Sequence, residues 1–182
     1  MTKRKILDYL FYGMFAFYLI MLILITVFKY VSPLDLFDQD RVINRSIHLV
    51  PFETIRAYAT GKSLVSQTVV WNNILGNICL FFPLGVYMQL FRKRKDYLIS
   101  IAIISLISLG IELIQFVFGI GVTDIDDIIL NCLGGTIGVL LYQLIDLAVK
   151  DKRKIKAIIT ICSSIVGVPI MVLAILIMVI NK

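Results

Sequence analysis

The sequence predicts an all-α fold, a polytopic membrane bundle of five transmembrane helices, and three observations predict it. Mean hydropathy is +0.94 and 59% of the 182 residues are hydrophobic, so most of the chain must be dissolved in lipid rather than water. Five apolar stretches approach the ~20 residues that a helix needs to cross the hydrocarbon core. Between them lie short basic runs, Lys3-Arg4-Lys5, Arg92-Lys93-Arg94-Lys95 and Lys150 through Lys156, the pattern of loops that resist translocation.

The elements follow in order. The first span, 8–28, comes after a basic stretch as a signal peptide would. Its end (Thr26-Val27-Phe28-Lys29-Tyr30) lacks a small-residue cleavage pattern, so it reads as an uncleaved anchor. A polar loop, 29–71, holds Pro33 and Pro51, which break regular structure. Within it Phe52 to Ala59 has the composition of a short interfacial helix, and Asn44-Arg45-Ser46 is a weak match to a glycosylation sequon. Spans at 72–91, 98–118, 124–148 and 157–180 complete the set, the last apolar on every face with Pro169 as an expected kink. Placing the N-terminus in the cytoplasm keeps all three basic runs inside and puts the loop 29–71, the turn near 119–123 and the C-terminus outside. This is one membrane domain, 1–182.

The formal charge of +6 does not point to nucleic acid, because most of the basic residues cluster in three short runs between apolar stretches. The long loop still holds Lys29, Arg41, Arg45, Arg56 and Lys62, but long loops translocate largely regardless of charge. Cys79, Cys132 and Cys162 fall singly inside apolar segments; an odd count without a CxxC pair suggests neither disulfides nor a zinc site.

Polar residues within the spans are the informative ones, since an Asp at a helix centre costs roughly 2.5–3.5 kcal/mol to insert. At ~100° per residue, Asp124, Asp127, Asn131, Gly134, Gly135 and Gly138 share one face of the fourth span, while Asp126 points the other way. Ser105, Ser108, Glu112, Gln115 and Gly119 form a stripe on the third span, and Asn73, Gly76 and Asn77 one on the second. At ~1.5 Å rise per residue, Asn77, Glu112, Gln115, Asp127 and Asn131 reach nearly one level beneath the outer ends of their helices. The expected site is a polar pocket open to the outer leaflet, built from Asn73, Asn77, Glu112, Gln115, Asp124, Asp126, Asp127 and Asn131. Gly134, Gly135 and Gly138 supply close helix packing, Gly134-x-x-x-Gly138 being a small-xxx-small pattern. Asp124 also occupies a natural helix cap. A carboxylate as deep as Glu112 needs a proton, a cation or an arginine beside it; Arg45 or Arg56 of the loop are the expected partners, with His48 nearby in sequence.

These residues occur in blocks that resemble the VanZ-like family. The blocks are Val50-Pro51-Phe52 with Thr54-Ile55, Asn73-Ile74-Leu75-Gly76-Asn77, Phe82-Pro83-Leu84-Gly85, Glu112-Leu113-Ile114-Gln115, and Asp124 through Asn131 closing on Gly134-Gly135 and Gly138. They run in order over about residues 48–142. Many members of that family carry Asn where His48 stands, and often Arg where Gly121 stands. The resemblance implies a multi-pass protein of the bacterial plasma membrane, in some members linked to lowered susceptibility to glycopeptides such as teicoplanin. It does not imply a reaction.

Three functions remain open from sequence. The pocket binds a lipid, a cell-wall lipid intermediate or the glycopeptide, acidic groups meeting an amine and amides meeting sugar hydroxyls. Alternatively, Glu112, Asp124 and Asp127 hold a divalent cation in an enzyme acting on a lipid-linked substrate. The third is a small transporter or scaffold, although the polar groups do not continue to the cytoplasmic side, Asp146 at the inner end of the fourth span being the one candidate for a continued path. No other cofactor is expected.

Overall fold

The computed structural model describes residues 3–38, 40, 41, 43, 45–53, 56, 60, 66–92 and 96–180. Five long helices account for most of them: α1 (Lys3–Val27), α2 (Gln67–Phe91), α3 (Tyr97–Phe118), α4 (Ile125–Val149) and α5 (Lys152–Ile180). Each contains a window long and apolar enough to cross a membrane. The protein is a multi-pass membrane protein. Two-residue strands β1 (Ile47–His48) and β2 (Thr123–Asp124) pair in parallel, Ile47 opposite Thr123 and His48 opposite Asp124.

The helix ends are fixed by local chemistry. The Asp96 carboxylate accepts from the Ile99 N–H at the start of α3, and Asp151 accepts from Arg153 at the start of α5, satisfying amides that have no partner within the helix. At the other end of α3, Gly119 takes a left-handed conformation, φ 58°, which only glycine adopts without strain. Its neighbour Ile120 then donates to the Gln115 carbonyl. Both α2 and α5 continue through an internal proline, Pro83 and Pro169.

The chain divides into two compact units, one of Leu22–Gln143 and the other of Met1–Met21 with Leu144–Lys182. In the first, α2 and α4 approach at backbone distance. A Cβ on Gly134 or Gly138 would collide with the Ile78 or Phe82 carbonyl, and one on Gly85 with the Gly135 carbonyl. Gly135 faces the side chain of Ile104 on α3. In the second unit, Lys156 of α5 donates to Asp8 of α1 at 2.5 Å and lies 4.4 Å from the Phe11 ring. Gly167 meets Met14 there.

Hydrogen bonds fasten the segment after α1 to the end of α3 and the start of α4. Arg41 donates to the Gly119 and Phe118 carbonyls (3.1 and 2.8 Å) at the end of α3. The Thr123 N–H donates to the Ser46 carbonyl at 2.9 Å. Phe52, in the left-handed region at φ 60°, gives its N–H to Asp126 Oδ1 at 2.6 Å. The interfacial helix expected at 52–59 falls largely outside the described residues; Arg56 N–H reaches the Phe52 carbonyl and Thr60 N–H the Arg56 carbonyl, in helical spacing. Asn44 of the sequon also lies outside them.

Candidate functional site

The ends of α1, α2, α3 and α4 nearest the paired strands surround a cavity of about 500 Å³. Each wall follows from a stripe on one helix. From α2 come Asn73, Gly76 and Asn77, from α3 Glu112 and Gln115, and from α4 Asp127 and Asn131. Asp124 and His48 enter from the strand pair, and Thr26, Lys29 and Tyr30 from the end of α1 and the residues after it. Apolar side chains, among them Val70, Leu80 and Ile111, fill the spaces between.

Asp127 is the hub. Its Oδ1 accepts from Asn77 Nδ2 at 2.6 Å and Asn73 Nδ2 at 3.1 Å, and its Oδ2 accepts from the Lys29 ammonium at 3.1 Å. Lys29 also donates to Asn73 Oδ1 at 2.5 Å. Burial alone would lower the Lys29 pKa. The Asp127 charge, with smaller help from Tyr30, outweighs burial and holds it above the ordinary lysine value. The ammonium therefore stays charged.

Glu112 makes a different contact. Its Oε2 accepts the Asp124 backbone N–H at 2.9 Å, tying α3 to the start of α4. Asp124 in turn caps α4, its Oδ1 accepting the Asp126 N–H at 2.9 Å. Burial pushes the Asp124 carboxyl up, against the lowering effect of that N–H, with Asp127 and Asp126 adding to the rise. Gln115 Nε2 donates to the Thr26 carbonyl at 2.9 Å, and Asn131 Nδ2 to Ser108 Oγ at 3.0 Å. Gln115 Oε1 and Asn131 Oδ1 have no hydrogen-bond partner among the described residues, although each side chain is only 2% exposed.

Of the residues singled out from sequence, Asn73, Asn77, Glu112, Gln115, Asp124, Asp127, Asn131 and His48 border this cavity. Asp126 does not; its carboxylate turns to Phe52, the opposite face of α4 that helical phase assigns it. Arg45 reaches the Val117 carbonyl at 3.5 Å rather than Glu112. Arg56 is not among the cavity residues. The cation in the cluster is instead Lys29, which sequence reasoning placed in the loop without a role. Its sequence signal is slight, a single lysine beside Tyr30 just past a span. Among the described residues no three His, Cys, Asp or Glu side chains gather as a metal-ligand set.

Five helices long and apolar enough to cross a membrane, the first four of them bordering a recess that holds acids and amides among apolar side chains, define a small integral membrane protein. The chain belongs to the VanZ/LLP1 family, whose model matches residues 15–146. It is similar to Protein VanZ of Enterococcus faecium, 33% identical over 148 residues, which cover 81% of this chain and 82% of that protein. No solved structure matches.

Proposed function

We propose that this chain is a bacterial plasma-membrane protein, N-terminus inside, whose cavity takes a lipid-linked or amine- and sugar-bearing ligand from the outer leaflet. By holding such a ligand it lowers susceptibility to glycopeptides of the teicoplanin type. The observation that carries the reading is the pair Gln115 and Asn131, cavity-lining residues whose buried amide oxygens have no donor among the described residues, beside three carboxylates of the same cavity. A buried acceptor left unsatisfied costs about 1–3 kcal/mol, and a hydroxyl- or amine-bearing ligand would remove that cost. Three acids against one lysine favour a cationic visitor and repel an anionic one.

The test is glycopeptide susceptibility of cells with and without the gene, alongside Glu112→Gln and Asn131→Ala at matched expression. The expected result is lowered susceptibility with the intact gene and loss of most of that protection in both variants. Equal susceptibility in all four strains would remove the resistance role.

A further inference from the structure

We propose that Lys29 is a built-in surrogate for the ligand's ammonium group. In this reading Asp127 and Asn73 form a primary-ammonium subsite, which an ammonium-bearing amphiphile enters by displacing the Lys29 side chain. The inference rests on the binding role given to the cavity above; it adds the ligand's chemical class and the group it must compete with.

The carboxylate is held through the oxygen that Lys29 does not touch. Asp127 Oδ1 is fixed by two amide donors of α2, Asn77 at 2.6 Å and Asn73 at 3.1 Å. Its Oδ2 is thereby aimed, whether or not the lysine is present. Asn73 Oδ1 completes the pair of acceptors at 2.5 Å from Nζ. Two acceptors, one of them charged, converging on a single nitrogen suit a compact three-donor ammonium. A trimethylated ammonium has no N–H to offer them.

Lys29 is the movable partner. It follows α1, which ends at Val27, and its ammonium is carried on a flexible four-carbon stem. Its side chain is 30% exposed, against 10% for Asp127, so it can swing into water while the carboxylate cannot follow. No other lysine or arginine lines the cavity among the described residues. With Lys29 withdrawn, Glu112, Asp124 and Asp127 would face the space without a permanent cation. Only a cationic group replaces it at low cost. Gln115 Oε1 and Asn131 Oδ1, buried beside the cavity without donors among the described residues, become acceptors for hydroxyls of the same ligand once their side chains turn toward it.

The experiment uses the full chain in phosphatidylcholine nanodiscs, with native mass spectrometry counting bound dodecylammonium, dodecyltrimethylammonium or dodecyl maltoside. A site blocked about nine-tenths of the time by its own lysine binds about tenfold more weakly than the open site. Lys29→Met should therefore raise dodecylammonium affinity about tenfold or more, with trimethylammonium and maltoside unchanged. Asp127→Asn should lower it in both backgrounds. Lys29→Met/Asp127→Asn, which removes both charges, should melt cooperatively and show no ammonium preference. Lys29→Gln serves the same comparison should Lys29→Met not melt cooperatively. Unchanged or weaker dodecylammonium binding on removing Lys29, or an equal gain for the trimethyl probe, would overturn the surrogate role. If maltoside binds while that gain is missing, the surrogate role alone fails and the cavity reading stands. If no probe exceeds the empty-disc background in any variant, both fall.

Discussion

Asp127 satisfies three side-chain donors at once, whereas Asp126, its neighbour in sequence, receives one backbone N–H. Replacing Asp127 by Ala removes the charged acceptor that Asn73, Asn77 and Lys29 share, leaving Asn73 Oδ1 to Asn77 and Lys29, and should cost about 2–4 kcal/mol. Asp126→Ala should cost about 1 kcal/mol. Thermal unfolding in detergent ranks the two. The pH dependence follows from the direction of the Lys29 shift, upward from 10.5. A raised lysine pKa gives stability that is complete below the ordinary value and fades as pH rises through the folded one. The stability difference between the intact protein and Lys29→Met should thus stay flat from about pH 6 to 9 and shrink only in strong alkali. At this scale the acids and amides were legible because spacing along a helix fixes their phase. Lys29 was not, since its partner Asp127 is 98 positions away and a lysine at the end of a span is ordinarily a solvated surface group. Glu112 shows a second limit. The sequence demanded a partner for it, and the partner is a backbone N–H, which no residue type announces.

Glycines decide how the helices meet. Gly85 and Gly138 abut backbone carbonyls across the α2–α4 contact, so neither neighbour can yield by turning a side chain. Gly85→Ala and Gly138→Ala should each cost about 1–3 kcal/mol and lower the melting temperature of purified protein. Gly76 is the contrasting case. It lines the cavity, and a Cβ there would meet nothing within 4 Å. Gly76→Leu should therefore fold as well as the parent, since Leu favours a helix over Gly by about 0.5–1 kcal/mol, yet fill the recess and abolish probe binding. Native mass spectrometry with dodecyl maltoside reads the outcome. The small-xxx-small spacing made Gly134 and Gly138 readable as packing positions. Which helix they pack against was not readable, because a bare face states only that something comes close. The expected helical phases also bring the α3 and α4 stripes together, as the Asn131–Ser108 bond records.

Across the whole molecule, the five spans expected at 8–28, 72–91, 98–118, 124–148 and 157–180 correspond to helices α1 to α5, with ends displaced by up to five residues. That much was legible because lipid leaves a spanning backbone one economical way to satisfy its own polar groups over such lengths. The docked loop was not legible. A two-residue parallel pair has no alternation to detect, and a left-handed Phe52 contradicts the usual preference of a bulky residue. Sidedness, argued from the basic runs, has its own check in alkaline phosphatase fusions, which become active only where disulfides form. Fusions after residues 66 and 182 should be active, and those after residues 95 and 151 inactive. The reverse pattern would turn the cavity toward the cytoplasm. One further consequence concerns the Ser46–Thr123 bond and the strand register around it. Because that seam is stitched by main-chain atoms, His48 can be exchanged for another residue without loosening the strap. The side chain this segment presents at the rim of the recess can therefore vary while its attachment persists.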